Sequence, residues 1–365
     1  NFNIFKNNFK NNQDDKSNSI FILYNILGNY KYIEFSISPA NSNDKNLSLI
    51  TLKDITIEHK DKLIQSCCYD ISEAIYDSDN LDTLYHQIHI AVSKITNTNN
   101  FYISLVDWAT NKLDFPYYID NKDKKPNSRS FKNCLTEFVI TKGQAVLINK
   151  NNNYDDFIKK NNINVVGKKC KNWLGVPLKL NNGKTIGMIG IQSYSSANIF
   201  TEEDLKLLLL VSNQIAMAIK RKKDDIFIHK QANYDHLTGL TNKALFYDRL
   251  EHAILQAQRH DEVIAVLFLD IDDFKNINDT MGHNAGDQLL KIIGDIIKTS
   301  VRKSDTVSRW GGDEFCILLP NIKNQEGIFK LCDRILNNKF SNIELNSQNV
   351  RIMASIGISL YPKDA

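Results

Sequence analysis

A pair of glycines followed by two acids constrains this chain more than any other feature, because it predicts a tight hairpin with a charged tip. The stretch runs Trp310-Gly311-Gly312-Asp313-Glu314-Phe315. Glycine readily adopts the positive φ that two-residue hairpin turns require. Apolar and branched residues on either side predict the two strands of the hairpin, at Asp305–Arg309 and Phe315–Leu319.

A second acidic cluster follows a predicted buried strand upstream. The strand is Val263–Leu269, and Asp270-Ile271-Asp272-Asp273 comes directly after it. Because side chains i and i+2 share one face of a strand, Asp270 and Asp272 are predicted to project together. Acids at a strand end that face acids at a hairpin tip suit hard divalent cations holding a triphosphate. For Asp272 a hydrogen bond to a loop fits as well, and no catalytic role is predicted for Asp272 or Asp273.

These two stretches and three others resemble the GGDEF domain of diguanylate cyclases, which join two GTP molecules into cyclic di-GMP. The resemblance covers residues 223 to 365, and its blocks occur in the family's order. An unrelated hairpin with acidic decoration therefore explains the match poorly. The blocks are Asp235–Asn242, Asp270–Asp279, Gly282–Asp287, Gly311–Phe315 and Ala354–Ser359.

The resemblance implies a metal site and a catalytic set. Asp270, Asp313 and the carbonyl of Ile271 correspond to ligands of Mg²⁺ or Mn²⁺. Asp313 corresponds to the proton acceptor, and Glu314 to a residue that supports the metal or the reacting hydroxyl. Lys275 corresponds to the lysine that stabilises charge on the phosphates during transfer.

The resemblance also implies a guanine site. Asn278 and Asp287 correspond to the residues that read guanine, and a carboxylate accepts from the N1–H and N2–H donors that adenine lacks. His283 lies between them and has two interpretations, a nucleotide contact or a structural histidine. Gly311 and Gly312 let the backbone approach the phosphates closely.

An inhibitory site for the product is implied just upstream of the glycine pair. Arg302-Lys303-Ser304-Asp305 matches the family's RxxD motif, in which arginine and aspartate bind the guanines of cyclic di-GMP. Arginine offers a planar fork to a guanine edge or a phosphate. Arg309 is expected to join this inhibited arrangement.

The expected fold class is a multidomain chain of α/β and α+β domains. Residues 1–60 resemble the C-terminal part of a PAS sensor domain, with strands at Tyr30–Pro39 and Leu47–Leu52 and a turn at Asn41–Asp44. Residues 61–222 resemble a GAF sensor domain, with a central antiparallel sheet flanked by helices. Residues 223–365 resemble the GGDEF domain, which implies a central sheet flanked by helices, similar to nucleotidyl-cyclase and palm domains.

Within the GAF-like segment the sequence predicts a hairpin and a long helix. Trp173–Leu178 and Gly187–Gln192 are the strands, joined by a turn at Asn181–Lys184. Thr201 is predicted to cap the helix with Asp204 at its third position. Gly183-Lys184-Thr185 is not a phosphate-binding loop, because the first glycine of that motif would fall at Leu178.

Heptad spacing marks two helices that connect the domains. Ile57, Ile64 and Ile71 recur every seven residues, and Leu208, Val211, Ile215 and Ala218 repeat the pattern. One interpretation is a parallel seam between two copies of the chain, which makes a homodimer. The other is that each helix packs on its own domain, and the spacing alone does not choose between them.

Composition excludes several classes of protein. The net charge of +3 argues against a nucleic-acid partner. The six cysteines have no zinc-type spacing, which predicts reduced core thiols in the cytoplasm. No apolar run reaches membrane-spanning length. The chain begins at Asn1 without methionine, which indicates an excised fragment and is compatible with an upstream membrane anchor.

The predicted function is therefore a sensor-regulated diguanylate cyclase that releases pyrophosphate and is inhibited by its product. Two alternatives remain: a catalytically silent receptor for cyclic di-GMP, and a sensory scaffold centred on a small-molecule ligand of the GAF-like domain. The intact acids of the Gly-Gly-Asp-Glu-Phe stretch favour the enzyme. The family's basic residues on a helix after the Ser355-Ile356-Gly357 strand have no counterpart up to Ala365, so they are not assigned.

Overall fold

The computed structural model describes residues 19–24, 30–40, 47–149, 154–164, 166–195, 200–340, 343–345 and 348–364. The first strands are β1 (Ser19–Tyr24), β2 (Tyr30–Ala40) and β3 (Leu47–Asp54), and they form an antiparallel sheet in that order. Both strands predicted for the PAS-like segment are confirmed. The turn predicted at Asn41–Asp44 lies outside the described residues, and the PAS resemblance itself stays a prediction.

The chain divides into two compact units after Lys223. The centre of the first unit is built from β4 (Phe101–Asp107), β5 (Lys112–Ile119), β6 (Arg129–Ser130), β7 (Val146–Ile148), β8 (Asn172–Lys179) and β9 (Thr185–Ser193). These strands form one antiparallel sheet in the order β6-β5-β4-β9-β8-β7. The sheet pairs β8 with β9 as predicted. At their turn the Gly183 amide donates to the Leu180 carbonyl, which confirms a hairpin instead of a phosphate-binding loop.

Helices of the first unit are α1 (Thr56–Asp77), α2 (Leu81–Ser93), α3 (Leu135–Lys142), α4 (Tyr154–Lys160) and the part of α5 (Glu202–Asn233) up to Lys223. The rest of α5 belongs to the second unit. The predicted cap of α5 is confirmed: the Asp204 amide donates to Thr201 Oγ1 over 3.2 Å, and Asp204 Oδ2 accepts from the Thr201 amide over 2.9 Å. These bonds satisfy donors that a helix start otherwise leaves unpaired. The start of α5 is therefore fixed by its own sequence.

The heptad residues of α5 lie in the core of their own unit. Leu208, Val211 and Ile215 are fully buried, and they belong to the same apolar cluster as Ile71 of α1. Ile57 is instead 77% exposed. The prediction that these residues form a parallel seam between two chains is wrong, because most of them are already buried in the core of their own unit. Packing on the helix's own domain is the interpretation that the structure supports.

Exposed apolar residues nevertheless lie on the opposite side of these two helices. The helices run parallel, because Lys60 pairs with Glu203 near both starts, while Lys222 Nζ donates to the Ile75 carbonyl further along. Tyr69 and Tyr76 of α1 are exposed and seven residues apart, as are Leu210 and Met217 of α5. Arg221 lies over the Tyr76 ring at 5.0 Å, which joins the two stripes. We call these four apolar residues the α1/α5 stripe.

The second unit contains a four-stranded antiparallel sheet. Its elements in chain order are α6 (Lys243–His260), β10 (Ile264–Ile271), α7 (Phe274–Met281), α8 (His283–Ser300), β11 (Thr306–Gly311), β12 (Glu314–Leu319), α9 (Glu326–Asp333), a π-helical turn (Arg334–Lys339), β13 (Ile343–Leu345), β14 (Gln348–Val350) and β15 (Ala354–Tyr361). The sheet order is β11-β12-β10-β15, and β13 pairs with β14 separately. Leu289, Ile293 and Ile297 of α8 are fully buried in its core. The expected architecture of sheets flanked by helices is confirmed.

The cysteines are free thiols, and all except the half-buried Cys68 are buried. Burial raises the pKa of Cys67 and of Cys316 to about 12. They are therefore core thiols and not reactive thiolates, as predicted. None of the described helices combines the length and the apolar character needed to span a bilayer.

Candidate functional site

The strand pairing of the second sheet brings the two acidic clusters together. In the register of β10 with β12, Asp270 lies directly opposite Glu314, and Ser355 of β15 lies on its other side. The two-residue turn between β11 and β12 is Gly312-Asp313, so Asp313 occupies the hairpin tip. Gly312 has φ 53, whereas Gly311 ends its strand without a positive φ. Only one glycine of the pair is therefore required by backbone conformation.

The second acidic cluster is not a simple strand-end pair. The strand continues through Asp270 and ends at Ile271, two residues later than predicted. Asp272 has left the strand: its amide donates to the Met353 carbonyl and its Oδ1 accepts from Ser355 Oγ, both over 3.0 Å. Asp273 has φ 56 and starts α7. Because Ser355 lies opposite Asp270 in the sheet and also bonds Asp272, the two carboxylates stay on the same side of the sheet edge, as predicted. The side-chain hydrogen bond of Asp272 is made with the start of β15 and not with a loop.

Oxygen donors of the kind that a hard divalent cation prefers lie at this edge of the sheet. Directly opposed carboxylates on neighbouring strands repel each other, and a cation between them relieves that repulsion. Among the residues that the structure describes, no cluster of three or more His, Cys, Asp or Glu side chains is poised to hold a metal. The oxygens at this edge that could hold a cation are the carboxylates of Asp270 and Glu314 and the carbonyl of Ile271.

The predicted guanine and phosphate residues lie on a helical corner. Lys275 and Asn278 belong to α7, His283 and Asp287 to α8, and Gly282 alone joins the helices with φ 86. Lys275, His283 and Asp287 are exposed, while Asn278 is half-buried. A Cβ added to Gly286 would lie 2.0 Å from Asn278 Oδ1. The amide of Asn278 is therefore packed directly against the backbone of α8.

A β-bulge directs Trp310 away from the acidic tip. The register of β11 with β12 shifts between Arg309 and Gly311. Trp310 packs edge-on against Phe246 and Phe268, with ring centroids at 5.7 and 5.9 Å, and Lys243 Nζ lies 4.5 Å above its ring. Bulges re-aim single side chains in this way. The tryptophan thereby anchors the start of the acidic turn to α6.

Arg309 contacts the turn itself. Its Nε and Nη2 donate to the Gly312 carbonyl over 3.0 and 2.7 Å, and its Nη1 donates to both carboxylate oxygens of Asp235 over 3.2 Å. Burial alone raises the pKa of the Asp235 carboxyl, but hydrogen bonds from Thr238 and the charge of Arg309 outweigh it and hold that pKa below its usual value. Asp235 begins the first family block, yet sequence reasoning assigned it no role.

The RxxD residues border a separate cavity of about 450 Å³. Asp305 closes a turn there, since its Oδ2 accepts from the Arg302 amide over 2.8 Å. Lys330 and Arg334 also line this cavity, whereas Arg309 does not. Arg334 Nη2 donates to the Ser300 carbonyl at the end of α8. No sequence pattern pointed to Arg334, because only the fold brings the π-helical turn beside the motif.

The first unit holds a cavity of about 280 Å³ with aromatic walls. Its lining includes the rings of Tyr102, Phe115 and Trp173. Arg129 is ion-paired with Glu137 beside it, and Arg129 Nη2 donates to Cys134 Sγ over 3.2 Å. Burial raises the pKa of Cys134 to about 11, so the thiol stays protonated. A partly open pocket that combines aromatic walls with polar and charged side chains is compatible with a small-molecule site.

Comparison with known families matches both units. Residues 78–220 match the family model for the GAF domain, and residues 232–365 match the model for the diguanylate cyclase GGDEF domain. The chain carries a GAF domain followed by a GGDEF domain. In the GGDEF domain the signature acids are those at the hairpin tip, and in the GAF domain the aromatic cavity lies within the matched residues.

Two of the relatives that the chain resembles are proteins of Pseudomonas aeruginosa. The chain is 39% identical over 137 residues to cyclic di-GMP phosphodiesterase NbdA, a match that covers 38% of this chain and 17% of that protein. It is 43% identical over 136 residues to diguanylate cyclase TpbB, covering 37% of this chain and 31% of that protein. A structure of the TpbB GGDEF domain is 42% identical, with a TM-score of 0.35, and covers 36% of this chain and 76% of that chain. The chain thus spans less than a third of either curated relative.

The contact between Asn278 and Gly286 yields a first prediction. Replacing Gly286 by alanine forces Asn278 to move, because the new Cβ overlaps its side-chain oxygen. We expect Gly286→Ala to weaken binding of a non-hydrolysable GTP analogue roughly tenfold or more, the cost of one lost hydrogen bond to a base. Isothermal titration calorimetry measures the dissociation constant of the GTP analogue for each protein.

Gly327→Ala is the matched control, because Gly327 also lies in a helix and its added Cβ would meet nothing within 4 Å. Circular dichroism establishes that both variants fold. Equal affinity of Gly286→Ala and the unchanged protein would contradict a guanine-reading role for Asn278.

Proposed function

We propose that this protein is a diguanylate cyclase whose GGDEF domain is controlled by its GAF domain. The observation that carries the proposal is the register that sets Asp270 opposite Glu314, with Asp313 at the adjoining tip. This arrangement occurs in a domain that matches the cyclase family model over 134 residues, counted from 232 to 365. TpbB, named a diguanylate cyclase, is among the relatives.

The reaction joins the ribose 3′-oxygen of one GTP to the α-phosphorus of the other. The bond between the α- and β-phosphates breaks, pyrophosphate leaves, and the hydroxyl proton passes to Asp313. Lys275 balances the negative charge that shifts onto the departing phosphates. Asn278 and Asp287 hold the guanine, which fixes the direction of the ribose and lowers the entropic cost of the reaction.

A divalent cation, Mg²⁺ or Mn²⁺, is the proposed cofactor. Asp270, Glu314 and the Ile271 carbonyl would hold it, with Asp313 as a further ligand. When bound, the ion neutralises charge on the triphosphate and lowers the pKa of the attacking hydroxyl. Gly312, which has no side chain, leaves the turn open for the phosphates.

Two copies of the chain are required, because one domain contains one acidic site and one guanine-reading set. Two GTP molecules joined by two bonds therefore need two such domains face to face. The α1/α5 stripe supports a parallel homodimer: its residues are exposed, apolar and spaced by seven on parallel helices. It replaces the buried residues that the heptad pattern first indicated.

Two regulatory sites complete the proposal. Cyclic di-GMP would bind in the cavity of Arg302 and Asp305, where Lys330 and Arg334 add positive charge for its phosphates. A planar small molecule would occupy the aromatic cavity of the GAF domain, because a flat ring can stack on Tyr102, Phe115 and Trp173. Its binding would bias the geometry of α1 and α5.

A second candidate is a receptor that binds cyclic di-GMP without making it. The relative NbdA keeps this candidate open, because a protein 39% identical over 137 residues is named a cyclic di-GMP phosphodiesterase and not a cyclase. The acids retained at positions 270, 313 and 314 favour the cyclase. Measuring cyclic di-GMP formed from GTP with Mg²⁺ separates the two functions.

Removing one carboxylate tests the catalytic assignment. Asp313→Asn keeps the size of the side chain but removes the proton acceptor and the charge. We expect cyclic di-GMP formation to fall at least ~100-fold, as for other groups that stabilise developing charge. Asp295→Asn on the exposed side of α8 is the control. Liquid chromatography of the products measures the turnover. Normal turnover by a folded Asp313→Asn protein would contradict the role of Asp313 as proton acceptor.

The inhibitory cavity makes a separate prediction. Arg302→Ala removes a guanidinium that lies away from the acidic tip, so we expect turnover to persist while inhibition by added cyclic di-GMP weakens roughly tenfold or more. Lys303→Ala, at the neighbouring exposed position, is expected to leave inhibition unchanged. Progress curves at several concentrations of cyclic di-GMP measure the inhibition of each protein. Identical inhibition of the Arg302→Ala and unchanged proteins would rule out this regulatory site.

Charging the α1/α5 stripe tests the dimer. Leu210→Glu combined with Met217→Glu places negative charge on exposed positions, so the fold is expected to persist while association weakens. Sedimentation should show monomers, and specific activity should fall steeply on dilution. Lys142→Glu at the exposed end of α3 makes the same change in charge away from the stripe and serves as control. A double variant that still sediments as a dimer would show that the stripe is not the interface, and full activity from dilute monomers would show that activity does not need the dimer.

A further inference from the structure

A short segment of the GGDEF domain is bonded both to the end of α5 and to the strand before the acidic turn. The Tyr234 amide donates to the Lys230 carbonyl of α5. The Thr241 amide donates to the Val307 carbonyl over 3.3 Å, and the Arg309 amide donates back to the Thr241 carbonyl over 3.1 Å. The segment 234–242 therefore lies beside β11 as an additional edge.

Asp235 and Arg309 extend this connection to the tip of the hairpin. Asp235 is held within the segment, where its Oδ1 accepts from the Thr238 amide and hydroxyl over 2.8 and 2.7 Å. Its carboxylate also accepts from Arg309 Nη1, while Nε and Nη2 of the same guanidinium donate to the Gly312 carbonyl. That carbonyl belongs to the peptide bond that leads into Asp313. One arginine thus spans from the segment to the residue assigned as proton acceptor.

Burial makes this ion pair stronger than an ordinary surface pair. The side chains of Arg309 and Asp235 are only 13% and 15% exposed. Exposed pairs contribute little because water and salt screen them, whereas a desolvated pair is costly to break. All three guanidinium nitrogens are engaged, so Arg309 presents little of its fork to a bound nucleotide.

We propose that Arg309 is a positioning residue that holds the backbone of the Gly312-Asp313 turn, and that Asp235 couples this turn to the end of α5. A displacement of the last turn of α5 then moves the Gly312 carbonyl and with it the Asp313 carboxylate. Small misplacements are enough, because reacting groups lose rate steeply when they shift by about 1 Å. This inference rests on the proposed cyclase activity and replaces the role in product inhibition first predicted for Arg309.

Kinetics of conservative variants test the proposal. Lysine keeps the charge but has no planar fork, so Arg309→Lys cannot grip Gly312 and Asp235 together. We expect kcat to fall ~10- to 100-fold, with KM for GTP and half-inhibition by cyclic di-GMP changed less than about twofold. Arg249→Lys is the control, since Arg249 also contacts β11, through Thr306 Oγ1, but away from the turn. Unchanged kcat with weakened inhibition would overturn the proposal and return Arg309 to the inhibitory site.

A double-mutant cycle tests the coupling. If Asp235 acts through Arg309, then Asp235→Ala combined with Arg309→Ala should reduce kcat by no more than the worse single variant. Losses that multiply would show that Asp235 acts independently and would overturn the coupling. Thermal unfolding of each variant identifies any general loss of stability.

Amide hydrogen exchange gives a readout that does not depend on activity. We expect exchange at residues 311–314 to speed up in Arg309→Lys and Asp235→Asn, and to stay unchanged in Arg249→Lys. If the unchanged protein makes no cyclic di-GMP, the proposed function fails. The amide exchange rates at residues 311–314 still test the positioning role in that case. Equal exchange rates at the turn in all four proteins would contradict that role.

Discussion

Pairing between β10 and β12 is the interaction on which the second unit depends, because it forms the centre of the sheet and also sets Asp270 opposite Glu314. Opposed like charges across two strands cost up to about 1 kcal/mol. The same strand buries Leu267 and Leu269 completely, and each such side chain contributes about 1.5–3 kcal/mol. Burial therefore outweighs repulsion, so the sheet can hold an acidic edge without a ligand being needed to form it.

The acidic turn is supported from two directions, which holds the backbone on either side of Asp313 in place. The bulge sends Trp310 into the rings of Phe246 and Phe268. Arg309 ties the Gly312 carbonyl to Asp235 on another side. Loops supply most functional residues, but they are useful only when a scaffold fixes them. In this domain one aromatic cluster and one ion pair provide that support.

The GAF domain shows how one helix can serve two purposes. The inner side of α5 fills the core beneath the sheet, while Leu210 and Met217 stay exposed on its outer side. Because α1 runs parallel to it, the outer residues of both helices form one stripe. The aromatic cavity belongs to a different apolar cluster, but Trp173 at its wall is followed on the same strand by Leu174, which packs in the cluster of α1 and α5. A change in the cavity would therefore reach these helices through the sheet.

Local patterns in the sequence determined the hairpins, the cap at Thr201 and the family of each domain, because each depends on residues that are neighbours along the chain. The same patterns could not choose which face of α5 is buried, since a seven-residue spacing suits a helix packed on its own sheet as well as a seam between chains. Nor could they reveal Asp235 bound to Arg309, or Arg334 beside the RxxD motif. Those contacts join residues far apart in sequence, and strand register and helix packing alone decide which distant side chains meet.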